Sequence, residues 1–271
     1  MSRPPRGRAA NATGAALCAA ALAGCAGGPA IDTRYTAQGQ DSRAQFLILH
    51  FTDEDFATSL RLLTGPNVSS HYLVSDESPP KIYRLVDESR RAWHAGESAW
   101  RGQTQLNAAS IGIEIVNLGY KPRPDGPSAW APYPPEQIDL VIALVKDIVA
   151  RHQIRPERIL GHSDIAPQRK VDPGPAFPWH RLAEAGLIPW PAAARVAALR
   201  PAHEARLPEV AWFQKGLAGL GFAVPQTGQL DDPTRRVVAA FQMKYRPARH
   251  DGQPDAETAA LLQALTEPAA R

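Results

Sequence analysis

The chain has 271 residues, with 30 Lys and Arg against 27 Asp and Glu, 26 Pro and two Cys. An apolar content of 44% with 21% charged residues excludes a mainly disordered chain, and the length suits one large domain or two modest ones. The net charge of +3 resides in Arg3, Arg6 and Arg8; the sequence beyond them balances 27 basic against 27 acidic side chains without a basic cluster, so no nucleic-acid partner is expected.

Met1 to Arg8 is short and basic, and Ala9 to Gly24 is small and apolar. That stretch is too short and too Ala-rich to span a bilayer stably, and it fits an export signal. It ends Leu22-Ala23-Gly24-Cys25, which resembles the bacterial lipobox, where a peptidase cuts before Cys and the thiol is acylated. Ordinary secretion, with cleavage near Ala19 to Ala21 and Cys25 incidental, is the alternative. Lipidation at Cys25 would give a membrane anchor. Ala26 in place of Asp resembles the sorting signal of lipoproteins in double-membrane bacteria, and that resemblance implies the outer membrane, facing the periplasm.

Residues 25–41 read as a polar tether. Residues 45–52 form an apolar run of buried-strand length, and Thr52 offers an N-cap for a helix carrying Phe56, Leu60 and Leu63 on one face. His71 to Val74, Ile82 to Val86 and Ile111 to Val116 read as strands. Residues 119–135 hold six Pro and two Gly and are expected to form a long irregular loop. Pro135 opens a helix with Ile138, Val141, Ile142, Val145, Ile148 and Val149 on one face. Arg158 to His162 is a short strand that runs into a Pro-rich loop, 163–178. Strands alternating with helices predict an α/β domain.

Residues 191–207 are rich in Ala, Arg and Pro and read as a linker. Beyond it, Gly228-Gln229-Leu230-Asp231 is echoed 24 residues later by Gly252-Gln253-Pro254-Asp255. Each copy supplies a Gly turn, an Asp able to cap a helix, and an amphipathic helix. With an earlier helix over Val210 to Leu220, this predicts a compact three-helix module, of a size viable as an independent fold.

With no Cys beyond Cys25, a metal site must use His and carboxylates. His50 and His162 each end a strand that feeds a loop, where ligands can converge on a rigid scaffold. Two imidazoles and one carboxylate leave a fourth tetrahedral position open, as in catalytic zinc sites. A lone His is more often a hydrogen-bonded structural residue, and spacing alone does not decide between the two.

Five ordered motifs carry more. They are Ile48-Leu49-His50-Phe51-Thr52, Val68-Ser69-Ser70-His71-Tyr72-Leu73-Val74, Ala92-Trp93-His94-Ala95-Gly96, Ser110-Ile111-Gly112-Ile113-Glu114-Ile115-Val116-Asn117, and Gly161-His162-Ser163-Asp164-Ile165 with Arg169-Lys170-Val171-Asp172-Pro173-Gly174-Pro175. Together they resemble the zinc N-acetylmuramoyl-L-alanine amidases, the family of phage-type amidase lysozymes and peptidoglycan-recognition proteins, and among them its outer-membrane lipoprotein members. The resemblance implies a mixed central sheet flanked by helices, with a small all-α three-helix C-terminal domain. It implies one Zn2+ held by His50, His162 and Asp172, and catalytic roles for Glu114 and Lys170. His94, Trp93 and His71 become candidate substrate contacts, with His71 also able to support the site from behind. The substrates implied are peptidoglycan or muropeptides, cut between N-acetylmuramic acid, or its anhydro form, and L-alanine, in wall turnover or recycling.

The chemistry suits these roles. Glu114 sits on the strand face opposite Ile111, Ile113 and Ile115, where Gly112 leaves space beside it, and a desolvated carboxylate could shuttle the water proton. Lys170, two residues before Asp172, could set an ammonium near a developing oxyanion. Asp164 is expected to order its loop, His152 to sit at a helix C-terminus, and Trp179 to serve as cleft wall or core. The C-terminal repeat resembles the three-helix peptidoglycan-binding domain fused to wall hydrolases, with a purely packing role as the alternative. The expected organisation is a signal peptide over 1–24, a tether over 25–41, the catalytic domain over 42–190, a linker over 191–207 and the peptidoglycan-binding-like domain over 208–267.

Overall fold

The computed structural model of the chain describes residues 28–123 and 126–267. The signal segment and Cys25 lie outside the described residues. No helix among the described residues is long and apolar enough to cross a membrane. From Asp41 onward the chain forms one compact unit, and residues before it belong to another.

The strands are Phe46–Phe51 (β1), Tyr72–Val74 (β2), Ile82–Arg84 (β3), Ala99–Trp100 (β4), Gln103–Thr104 (β5), Ser110–Ile115 (β6), Tyr120–Arg123 (β7), Gly126–Trp130 (β8) and Ile159–Gly161 (β9). The helices are Phe56–Leu63 (α1), Pro135–His152 (α2), His162–Ile165 (α3), Trp179–Glu184 (α4), Ala193–Ala205 (α5), Val210–Leu220 (α6), Asp232–Tyr245 (α7) and Ala256–Thr266 (α8). The main sheet runs β3-β2-β6-β1-β9, with β2, β6, β1 and β9 parallel and β3 antiparallel at the edge. It is the mixed sheet flanked by helices that the sequence implies.

The continuous run Phe46-Leu47-Ile48-Leu49 has the signature of a strand buried on both faces. Alternate residues go to different cores. Leu47 and Leu49 join Ile111, Ile113 and Ile115 of β6 under α2, whose Ile138, Val141, Val145 and Ile148 fill that side. Phe46 and Ile48 face the other way, against Leu160, Ile165 and the C-terminal helices, which supply Phe213, Leu217, Val237 and Phe241. The second core is therefore shared. The C-terminal helices are not a free-standing module but the cover of one face of the main sheet.

The 191–207 segment, read as a linker, is largely helical. Ala193–Ala205 is helix α5, packed along α8, and His203 Nε2 lies 2.8 Å from Gln263 Oε1. A single proline, Pro201, lies inside this helix. The irregular loop expected over 119–135 contains the β7–β8 hairpin. Helix α1 is capped by Asp55, whose Oδ1 accepts from Thr58 N at 2.8 Å, rather than by Thr52.

The repeat has a structural explanation. Gln214 accepts from Gly228 N at 2.8 Å and donates to Thr234 Oγ1; Gln242 accepts from Gly252 N at 2.9 Å and donates to Thr258 Oγ1. Both Gly take positive φ, +71° and +74°, and Asp231 and Asp255 cap α7 and α8 through Thr234 N and Thr258 N. Each turn is thus closed by a buried glutamine.

Candidate active site

In open parallel sheets, functional groups gather beyond the carboxyl ends of the strands. Here β1 carries His50 one residue before its end, β6 carries Glu114 directly beside it in register, and β9 passes through Gly161 to His162 at the start of α3. The loop after α3 returns Asp172 to the same point. It is held there by Ser163 N donating to the Asp172 carbonyl at 2.8 Å, and by Tyr133 Oη donating to the Pro173 carbonyl at 2.8 Å.

Three buried donor atoms converge. His50 Nδ1 is 3.0 Å from His162 Nδ1 and 2.9 Å from Asp172 Oδ2, and His162 Nδ1 is 3.1 Å from that same oxygen. Among the described residues these three form the group of His and carboxylates able to hold a metal ion. Their types and number fit a zinc site with an open position. His162 Nε2 lies 3.2 Å from the Ala95 carbonyl, which can only accept, and 3.2 Å from Arg169 Nη2, which can only donate; with its proton on Nε2, toward the carbonyl, the Nδ1 lone pair faces the cluster. Burial acts to raise the Asp172 carboxyl, but the neighbouring His162 and His50 outweigh it and hold it well below the usual carboxylate range. Burial, reinforced by His162, lowers His50 to about 4 against the pull of Asp172. The set therefore presents a carboxylate and a neutral His50 at neutral pH, as metal ligation requires.

Glu114 completes the floor of the site. Its Oε2 is buried and has no hydrogen-bond partner among the described residues. Burial and the nearby Asp172 push its carboxyl well above the ordinary value, while Lys170 opposes them. A carboxyl so destabilised as an anion, next to a metal-ligand cluster, is poised to exchange a proton.

These groups line a cleft of about 360 Å³ whose wall also includes Trp93, His94, Lys170, Ser59, Ser69 and Arg169. Lys170 is exposed at its edge. The rim is apolar: Leu62, Val68, Trp93 and Val171 all stand substantially exposed around it. Trp93 is fixed by a reciprocal pair, its N donating to Ser69 Oγ at 3.0 Å and its carbonyl accepting from Ser69 N at 3.2 Å.

Other candidates fall elsewhere. His71 is wholly buried and does not line the cleft; its Nδ1 accepts from Gly112 N at 3.0 Å and its Nε2 faces the Arg90 carbonyl at 3.1 Å. It supports the sheet from behind and is not placed to touch substrate. His94 reaches the cleft but points its Nδ1 at His50 Nε2, 3.0 Å away. Gly112 makes room for this ring and not for Glu114: a Cβ there would lie 2.5 Å from His94 Cγ. Trp179 belongs to the core. Asp164 orders its loop, accepting from Gly161 N at 2.8 Å. His152 is half-withdrawn from solvent between Glu88 and Ser42.

Sequence reasoning assigned no role to Arg169, Ser110 or Lys244. Arg169 donates to the carbonyls of Ala95 and Glu97, tying the Trp93-to-Gly96 segment to the Asp172 loop. Its place beside Lys170 in a dense motif was the available signal. Ser110 opens the strand motif that carries Glu114, and that was its signal; nothing local marks Lys244, whose partner Asp164 lies 80 residues away in sequence.

The N-acetylmuramoyl-L-alanine amidase family model matches residues 40–175, and a peptidoglycan binding domain model matches residues 206–262. The chain is 46% identical over 267 residues to the N-acetylmuramoyl-L-alanine amidase AmiD of Escherichia coli (strain K12), spanning 93% of this chain and 96% of that protein. It is 39% identical over 102 residues to the 1,6-anhydro-N-acetylmuramyl-L-alanine amidase AmpD of Enterobacter cloacae, spanning 38% of this chain and 49% of that one. The structure of AmiD from E. coli with the substrate anhydro-N-acetylmuramic acid-L-Ala-D-gamma-Glu-L-Lys superposes with a TM-score of 0.76, at 44% identity, covering 87% of this chain and 93% of that one. The structure of AmpDh3 from Pseudomonas aeruginosa in complex with anhydromuramic pentapeptide gives 0.78, at 39% identity, covering 87% and 97%. Likeness over nearly the full length, in both sequence and fold, means that the chain belongs to the N-acetylmuramoyl-L-alanine amidase family.

Proposed function

We propose that this amidase works as a single-zinc hydrolase on the bond between the lactyl carbonyl of N-acetylmuramic acid, or its 1,6-anhydro form, and the L-alanine of the peptidoglycan stem peptide. The observation that carries the zinc reading is the meeting of His50 Nδ1, His162 Nδ1 and Asp172 Oδ2 beside the unpartnered Oε2 of Glu114. The relatives solved with anhydromuramyl peptides support the substrate class.

His50, His162 and Asp172 would hold the ion. Zinc bound there would lower the pKa of a coordinated water toward about 7 and polarise the scissile carbonyl. Glu114 takes the proton of the attacking water through Oε2. It returns that proton to the amide nitrogen as the C–N bond breaks, leaving a lactyl carboxylate and a free amino terminus on the stem peptide. Lys170 brings a positive charge to the mouth of the cleft, where negative charge develops on the carbonyl oxygen. Trp93, Val68, Leu62 and Val171 offer apolar area to the sugar and lactyl faces of the substrate.

The C-terminal helices, which belong to a peptidoglycan-binding family, would help hold the wall polymer. The leader and Cys25 would anchor the enzyme by lipid to the outer membrane, facing the periplasm. The test is product analysis by mass on sacculi and on anhydro-muropeptides, with zinc content measured in parallel. Free stem peptide and one zinc per chain are expected. Cleavage inside the peptide, or binding without products, would overturn the proposal. Palmitate labelling, lost in Cys25→Ser, tests the anchor.

A further inference from the structure

We infer that Ser110 and His94 form a directional hydrogen-bond chain that fixes which ring nitrogen His50 offers to the metal. This rests on the zinc reading above and adds a positioning role for two residues to it.

The direction is set at one end by a backbone carbonyl. Ser110 Oγ lies 2.7 Å from the Leu106 carbonyl oxygen, which can only accept, so the serine hydrogen lies on that line. Oγ is then left to accept from His94 Nε2, 3.1 Å away. His94 is buried, which favours its neutral form, and with its proton on Nε2 its Nδ1 is an acceptor. The group facing that Nδ1 is His50 Nε2, at 3.0 Å, which must donate. The one proton of neutral His50 is thereby placed on Nε2. Its Nδ1 lone pair is bare and faces His162 Nδ1 and Asp172 Oδ2.

Each link is buried, so water cannot readily substitute for a missing partner. Ser110 and His94 are both buried, and His50 is 1% exposed. Space for the middle link is reserved by Gly112, where any Cβ would strike the His94 ring. The ring orientation of His50 thus depends on a serine two links away, on the neighbouring strand. His94 acts through His50 as a positioning residue, and its place in the cleft wall does not by itself make it a substrate contact.

The test uses the full-length protein. Zinc affinity is measured by chelator competition in wild type, Ser110→Ala and Gly112→Ala, and the histidine tautomers are read from 15N–1H spectra of the zinc-stripped wild type. The expected result is a zinc Kd raised about 10- to 100-fold in Gly112→Ala, which displaces the direct partner of His50, and about 10-fold in Ser110→Ala, the lower end of that range, since the serine acts one link further out. Wild-type spectra should show His50 and His94 both protonated on Nε2. A merely structural serine would lower stability without moving the zinc Kd. A wild-type His94 protonated on Nδ1 overturns the inference even if neither variant folds. So does a Ser110→Ala Kd within about twofold of wild type. Failure of wild type to bind zinc would instead refute the zinc reading.

Discussion

Lys244 and Asp164 form a buried ion pair, 2.7 Å from Nζ to Oδ2, that joins helix α7 of the C-terminal region to the short helix that begins with His162. The same Asp164 oxygen accepts from Gly161 N, and the ammonium sits 4.2 Å from the Trp179 ring centroid. The C-terminal region therefore reaches to within two residues of a predicted metal ligand. Breaking a buried pair strands a charge, at a cost of about 3–5 kcal/mol. Lys244→Ala should lower unfolding free energy by that amount in urea at neutral pH. The double variant Lys244→Met/Asp164→Asn should recover most of it, since Asn can still accept from Gly161 N. A loss under about 1 kcal/mol in Lys244→Ala would show the pair to be incidental.

Glu114 combines a catalytic assignment with a structural penalty. As a carboxylate its Oε2 lacks a partner among the described residues, and its pKa is raised by burial and by Asp172. A raised carboxyl favours the protonated native state, so stability falls as pH rises through the interval above the ordinary value of 4.5. Glu114→Gln removes that penalty. It should lower kcat about 10²- to 10⁴-fold with zinc retained, while raising the melting temperature of the zinc-stripped protein at neutral pH. Activity should also fade on the acid side as Glu114 becomes protonated, and that limb should be absent from the residual activity of Glu114→Gln. Full activity in the variant would remove Glu114 from the mechanism.

Much of this architecture is visible in sequence because its causes are local. Alternation puts Ile111, Ile113 and Ile115 on one face of β6, so Glu114 must take the other, and the register with His50 confirms it. The Gly-Gln-x-Asp repeat contains its own turn and cap, and both copies fold as their chemistry dictates. The misses have non-local causes. The run Phe46 to Leu49 announces burial on both faces but not that residues beyond 208 supply the second cover. Gly112 signals that space is needed and not that His94, from a separate loop, needs it. Pro201 reads as a break, although packing against α8 holds α5 helical around it.

Acid should unfold the zinc-stripped enzyme through its buried histidines. Burial lowers both His50 and His71 to about 4, from an ordinary 6.5. The unfolded chain takes up protons below about 6.5 that the native state refuses until about 4. Stability from these groups is thus fully present above 6.5 and is lost as pH falls toward 4, at up to about 1.4 kcal/mol per pH unit for each histidine. Urea unfolding between pH 7 and pH 4 measures this. His71→Gln, which leaves the metal cluster untouched, should flatten the slope by about one proton. An unchanged slope would mean that His71 titrates as it does in the unfolded chain.

Gly161 stands where two predicted ligands approach each other through the backbone, immediately before His162 and against the Asp172–Pro173 segment. A Cβ at this position would lie 2.8 Å from Pro173 Cδ, 3.1 Å from Trp179 Cζ2 and 3.4 Å from the Asp172 carbonyl oxygen. Pro173 and Trp179 are packed and ring-shaped, so neither can swing aside as a flexible side-chain tip would. Gly161→Ala must therefore push the Asp172 loop away from β9, which widens the gap between His162 Nδ1 and Asp172 Oδ2. Overpacking of this kind costs about 1–3 kcal/mol. Because the displaced segment carries a ligand, the zinc Kd should rise by about tenfold or more alongside the fall in stability. Gly219 is the control: it lies in α6 with nothing within 4 Å of a Cβ, so Gly219→Ala should leave zinc affinity unchanged and hold or raise stability. Wild-type zinc affinity in Gly161→Ala would mean that the loop bearing Asp172 is not set by its contact with β9.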